Sequence, residues 1–110
     1  MTDSERIKRT KEYRQIYSSL VEQLERSGND TPYFLNQIDQ YMSMYITTKL
    51  CAEDIDRRGI NITSVGSTGQ TVTKKNESID SLLKTNQQMI KLLDKLQISP
   101  ETAAADDEEL

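Results

Sequence analysis

The stretch Arg57–Ser78, RRGINITSVGSTGQTVTKKNES, decides how this chain is read. It lies between two segments with the apolar spacing of long helices, yet its own pattern is that of paired strands. Ile60, Ile62, Val65, Val72 and several Thr residues favour extended backbone, and Gly66–Gly69 (GSTG) between them supplies a tight reversal. The expectation is a β-hairpin from about Ile60 to Lys74 that folds one helix back on the other. So small a hairpin has unpaired edges and little apolar surface, so it needs a neighbour.

Upstream, GNDTPYFL places Thr31 as N-cap and Pro32 at the first helical position, where a missing N–H costs nothing. From there Phe34, Ile38, Tyr41, Tyr45, Thr48, Ala52 and Ile55 alternate steps of four and three, and Leu35, Met42, Ile46 and Leu50 widen the seam. A helix from Thr31 to Arg58 would span roughly 42 Å at ~1.5 Å per residue. Arg57 and Arg58 suit its negative end, and Gly59 its exit. Downstream, Asn76 or Ser78 caps a third helix running to about Ile98, before Ser99 and Pro100. Ile79, Leu82, Asn86, Met89, Leu93 and Leu96 form its seam, flanked by Leu83, Ile90 and Leu92. A polar Asn86 inside a seam fixes register or assembly number, or else sits at a wet seam edge. Two such seams joined by a hairpin pair antiparallel.

A further helix is expected over residues 4–27, with Tyr13, Ile16, Tyr17, Leu20, Val21 and Leu24 at helical spacing and Gly28 as the stop. Its first turns hold Ile7 as their only aliphatic residue, so deep burial is not expected there. The chain thus divides into an N-terminal basic helix (1–29), a helix–hairpin–helix core (30–98) and an acidic tail (99–110) expected to be disordered. The fold class is mainly α.

With 110 residues, 35 % hydrophobic and no Trp, a self-sufficient core is doubtful. The net charge of −4 is unevenly spread. Arg6, Lys8, Arg9, Lys11 and Arg14 face one acid, Glu12, whereas residues 99–110 carry five acids and no base. A basic head and an acidic tail point to different partners. The head residues suit phosphate contact without base reading, or an ordinary solvated helix end; composition leaves both open. Lys74 and Lys75, with Arg57 and Arg58 across the hairpin root, form a second candidate basic cluster, again with solvated ends as the alternative.

Chemistry is sparse. His is absent, removing the commonest general base and metal ligand. Cys51 has no activating base nearby in sequence and reads as an inert thiol. Glu53, Asp54 and Asp56 read as a solvated helix face. GSTGQT lacks the Lys and the Gly spacing of a phosphate-cradling loop. No cofactor, no metal and no enzymatic activity are expected. With no signal-peptide pattern and no apolar run of membrane-spanning length, no membrane association is expected and a cytosolic location is.

The order of parts resembles the short small-subunit terminases of tailed bacteriophages: a Tyr-bearing first helix, a Gly break, a long helix ending near RRGI, a Gly-rich hairpin, a Leu-rich last helix, and LDKLQISP near the end. The resemblance covers roughly Lys8 to Pro100. In that family the hairpin is typically followed by Asn-Pro, and the last helix ends in Leu-Gly-Leu-Ser-Pro; here Glu77 follows Asn76, and Gln97 stands for the Gly. The resemblance implies a non-enzymatic component of genome packaging that forms homo-oligomeric rings in the cytoplasm of the bacterial host. It would recognise the packaging start on double-stranded viral DNA and present it to the large terminase subunit, which supplies ATPase and nuclease. DNA contacts are then expected from Arg6, Lys8, Arg9, Lys11 and Arg14, with Lys74 and Lys75 second. Faces shared with neighbouring copies are expected at Ile38, Tyr41, Tyr45, Ile60, Ile62, Val72, Leu82, Met89 and Leu93. The rival from another class is a small helical adaptor whose seams bind one protein partner without nucleic acid.

Overall fold

Two threonines shape the N-terminal part of the computed structural model, which describes residues 1–29 and 31–98. Thr2 caps α1 (Asp3–Lys8), its hydroxyl accepting from the Glu5 N–H at 3.1 Å. Thr10 then caps α2 (Lys11–Arg26): its Oγ1 accepts from the Tyr13 N–H at 3.3 Å and donates to the Ile7 carbonyl at 2.7 Å. The single helix expected over 4–27 is therefore two, because a Thr hydroxyl offers the backbone an alternative partner at the point where the chain turns. The corner swings Ile7 inward until it is only 3 % exposed, which corrects the expectation that nothing so near the N-terminus would be deeply buried. Gly28, at φ 78°, ends α2 as expected.

Helix α3 (Pro32–Arg58) starts with Pro32 in its first turn and Thr31 at the N-cap position, although the Thr31 hydroxyl makes no capping bond. It leaves through Gly59 at φ 87°. Strands β1 (Asn61–Val65) and β2 (Thr71–Lys75) pair antiparallel with Thr63 opposite Thr73, their hydroxyls 3.2 Å apart. The loop between them closes with the Gly66 N–H donating to the Gln70 carbonyl at 2.7 Å and the Gly69 N–H to the Gly66 carbonyl at 3.0 Å. The hairpin is where the sequence suggests, one residue later at each end. Helix α4 (Glu77–Leu96) then returns antiparallel along α3. It ends with Gln97 in the left-handed region, φ 58°, and the Ile98 N–H reaching back to the Leu93 carbonyl at 3.2 Å. That conformation is the one Gly adopts most cheaply at a helix end.

The core lies in one half of a body measuring 62 × 26 × 25 Å. Ile38, Tyr41, Met42, Tyr45 and Ile46 of α3 meet Leu20 and Leu24 of α2, Met89 and Leu93 of α4, and Ile7 of α1. Toward the hairpin, burial fades: Cys51, Ile55, Ile62, Ile79 and Leu82 are half-buried, while Ile60, Val65, Val72 and Leu83 are exposed.

A polar knot holds this thin end. Asn76, fully buried at 0 % exposure, caps α4 by accepting from the Ser78 N–H at 2.9 Å and from the Arg58 guanidinium at 3.2 Å. Its amide donates to the Gly59 carbonyl at 3.0 Å and to Asp54 at 3.2 Å, so both donors and both acceptor positions are used. Asp54 also receives the Arg58 fork at 2.7 and 2.6 Å and the Ser78 hydroxyl at 2.7 Å. The Asp54 side chain is 16 % exposed, so the expectation that this acid belongs to a solvated face is corrected. The Arg58 bonds, followed by Ser78 and Asn76, hold the Asp54 carboxyl far below the usual carboxylate range.

Two outcomes follow. Asn76→Ala loses a cap and strands buried partners, lowering stability by about 3 kcal/mol in thermal or urea unfolding; Asn76→Asp, which still caps, is also damaging because it sets a second carboxylate beside Asp54. A depressed folded-state value contributes stability above the unfolded value of about 4, and that contribution is lost as pH falls below it. Unfolding midpoints should therefore drop on acidification below about pH 4, and less steeply in Asp54→Asn, which starts from a lower midpoint at neutral pH.

Candidate nucleic-acid interface

Helix α2 divides its circumference cleanly. Leu20 and Leu24 face the core with Tyr13, Ile16 and Val21 beside them, while Lys11, Arg14, Gln15, Ser18 and Ser19 occupy the opposite side. With Arg9 from the corner and Glu22 at the far limit, these polar residues line an open groove of about 350 Å³. Its cations collect where α1 meets α2. Arg14 donates to the Arg9 carbonyl at 2.9 Å, which orients the guanidinium without neutralising it. Among the described residues, Lys8, Arg9 and Lys11 make no ion pair.

Arg6 stands apart from that group. Its guanidinium forks onto Glu53 at 3.0 and 2.6 Å, with Asp3 at 3.6 Å, and so fastens α1 to α3. The Arg6 bonds hold the Glu53 carboxyl below its ordinary value. Beside this pair, the Tyr45 hydroxyl donates to Glu12 Oε1 at 2.6 Å, and Lys49 Nζ lies 3.1 Å from the same oxygen. Tyr45, Lys49 and Glu53 form a column of i, i+4 steps on α3, the sequence signal that would have marked this seam between helices. The Glu12 carboxyl is lowered chiefly by Tyr45 and then by Lys49, whereas burial first and then Glu12 push the Tyr45 hydroxyl well up.

The expected second cluster does not assemble. Alternation along β2 puts Lys74 and Lys75 on opposite faces of the hairpin. Lys75 pairs with Asp80 at 2.9 Å, and Arg57 and Arg58 pair with Asp54 at 3.1 and 2.6 Å. Lys74 alone of the four makes no ion pair among the described residues.

The residues expected to face neighbouring copies separate into two groups. Ile38, Tyr41, Tyr45, Met89 and Leu93 are buried within the protomer, since the α1–α2 corner, α2 and α4 all cover the same stretch of α3. The sequence shows that these seams are covered but not by what. Ile60 and Val72 are exposed, and Ile62 and Leu82 half-buried. Asn86 lies exposed at the edge of the α4 seam.

The remaining chemistry is plain. Cys51 is a free, half-buried thiol. Among the described residues no three His, Cys, Asp or Glu side chains are grouped to hold a metal, and no helix is long and apolar enough to cross a membrane. The acidic tail, 99–110, lies outside the described residues.

Comparison with known proteins returns one family: the model described as "Phage terminase, small subunit" matches residues 14–105, most of the chain. No curated protein and no solved structure matches.

Proposed function

The chain belongs to the phage terminase small-subunit family and has a general role in phage DNA packaging; from that premise we propose that it is the non-catalytic component that binds the viral packaging site and passes it to the large terminase subunit in the host cytoplasm. The observation that carries the DNA role is the cluster of Lys8, Arg9, Lys11 and Arg14, the last three lining an open groove and none of the four ion-paired among the described residues. Cations left uncompensated on one helix corner gain most from a polyanion, because each phosphate contact releases condensed counterions. The contacts are to backbone, so they hold the duplex without reading its sequence. Arg6 contributes by fixing the corner in place, its charge being taken up by Glu53. Lys74, unpaired on the hairpin, is the secondary contact; Lys75 is committed to Asp80.

The same proposal includes a homo-oligomeric ring. Its support is the contrast between a filled core around Ile38–Ile46 and the thin hairpin end, where Ile60, Ile62, Val72 and Leu82 have partners missing on one side. Copies that share this end bury the surface a lone hairpin leaves wet, and closed symmetry multiplies four weak phosphate contacts into useful affinity.

Replacing Arg9 and Lys11 together with Ala should weaken binding to unrelated duplexes alike and reduce the slope of log affinity against log salt by about two, close to 0.9 per lost phosphate contact. An unchanged slope moves the site elsewhere on the surface. Val72→Lys leaves the core untouched and should lower the mass seen by light scattering while helical content persists. A chain that stays a single copy and ignores duplex at low salt is an adaptor instead.

A further inference from the structure

We propose that Tyr45 and Lys49 support DNA binding by holding the Glu12 carboxylate on the α3 side of α2, out of the cationic groove. The inference rests on the DNA reading above and assigns positioning residues to that site. Glu12 is the one acid between Arg6 and Arg14, and it directly follows Lys11. At about 100° per residue it lies on the border between the groove face and the core face of α2. A carboxylate at such a border can turn either way, and turned to the other side it would add a negative charge at the rim of the groove lined by Arg9, Lys11 and Arg14, the cations a duplex needs.

The structure turns it inward. Glu12 does not line the groove of Arg9, Lys11 and Arg14; it lines a separate cleft of about 130 Å³ with Arg6, Tyr45, Lys49 and Glu53. One oxygen, Oε1, receives both the Tyr45 hydroxyl at 2.6 Å and Lys49 Nζ at 3.1 Å. Tyr45 is itself fixed: its ring is buried in the core, tilted against Tyr13 at 5.9 Å, with Lys49 Nζ 5.3 Å from its centroid. The tether is therefore anchored on a ring packed into the core. The depressed Glu12 carboxyl, owed first to Tyr45 and second to Lys49, agrees with this geometry. At about 6 Å through water, one misplaced unit charge beside a phosphate changes an equilibrium by roughly threefold.

Tyr45→Phe keeps the ring and its packing and removes only the bond to Glu12. Its duplex affinity at low salt should fall about threefold. Placed on Glu12→Gln, the same change should have no effect, because no carboxylate remains to be held. The phosphate-contact count, read as the salt slope, should stay within error of the parent in both backgrounds. A purely structural role for Tyr45 gives equal losses in the two backgrounds and overturns the proposal, as does unchanged affinity in Tyr45→Phe alone. Titration of the Glu12 carboxyl by NMR provides a readout without DNA: it should move up toward its ordinary value in Tyr45→Phe. No movement removes the tether. A parent chain that binds no duplex, while the carboxyl titrates as expected, refutes the DNA reading and leaves the tether as a fold contact only.

Discussion

The fold depends on one acid reaching across the chain. Asp54, on the last turns of α3, bonds to Arg58 on its own helix and to Asn76 and Ser78 at the start of α4, 22 and 24 positions further on. The hairpin between them offers little of its own. Among its strand residues only Ile62 is even half-buried, and two strands of this size are marginal in water. What fixes the point and angle of reversal is the knot at its root, reinforced by the Asn76 N–H donating to the Ile60 carbonyl at 2.7 Å. Once α4 leaves Asn76 in that direction, Met89 and Leu93 join the core residues of α3, and the core can close. A buried polar network is costly unless every member is satisfied, and among the described residues no buried side-chain nitrogen or oxygen lacks a partner.

From this arrangement comes a division of the surface. The filled core occupies the half where α2 and the end of α4 lie against α3. The α1–α2 corner, carrying the uncompensated cations, is pinned near the middle of α3 by Arg6 with Glu53 and by Tyr45 and Lys49 with Glu12. The hairpin end carries exposed aliphatic side chains, Ile60, Val65, Val72 and Leu83, and of the four cations at its root Lys74 makes no ion pair among the described residues. Uncompensated charge and exposed apolar surface are thus kept on different parts of one short chain. Glu12 and Glu53 are engaged in holding the corner, and Arg57, Arg58 and Lys75 are paired at the hairpin root.

Much of this is legible in the sequence, and the exceptions have common physical causes. Pro32, Gly28, Gly59 and the GSTG reversal mark backbone events that few other residues permit, so element boundaries near them read well. The start of α4 reads as Asn76 or Ser78, and the structure puts the cap at Asn76. The break at Thr10 is missed because a mid-helix Thr is usually compatible with continuing, and here its hydroxyl caps α2 and bonds the Ile7 carbonyl where the chain turns. The seams of α3 and α4 are visible as stripes, yet a stripe reports burial and not the identity of the covering surface. Ile38, Tyr41, Tyr45, Met89 and Leu93 are covered by the protomer's own helices, something no periodicity distinguishes from cover by a neighbour. Asp54 and Arg6 illustrate the last limit: an acid or a base in a charged run has no local mark of the partner it will meet some 20 to 50 residues away. Within the basic head, the cations without an ion pair among the described residues and those spent on structure separate only once the corner is folded.

Hydrogen–deuterium exchange of the protein, with and without duplex DNA at low salt, tests this division most directly. Amides from the α1–α2 corner through the groove, residues 8–22, should slow most on adding duplex, while those of residues 60–73 should exchange slowly already and change little. Protection that appears at the hairpin and leaves the corner untouched would contradict it.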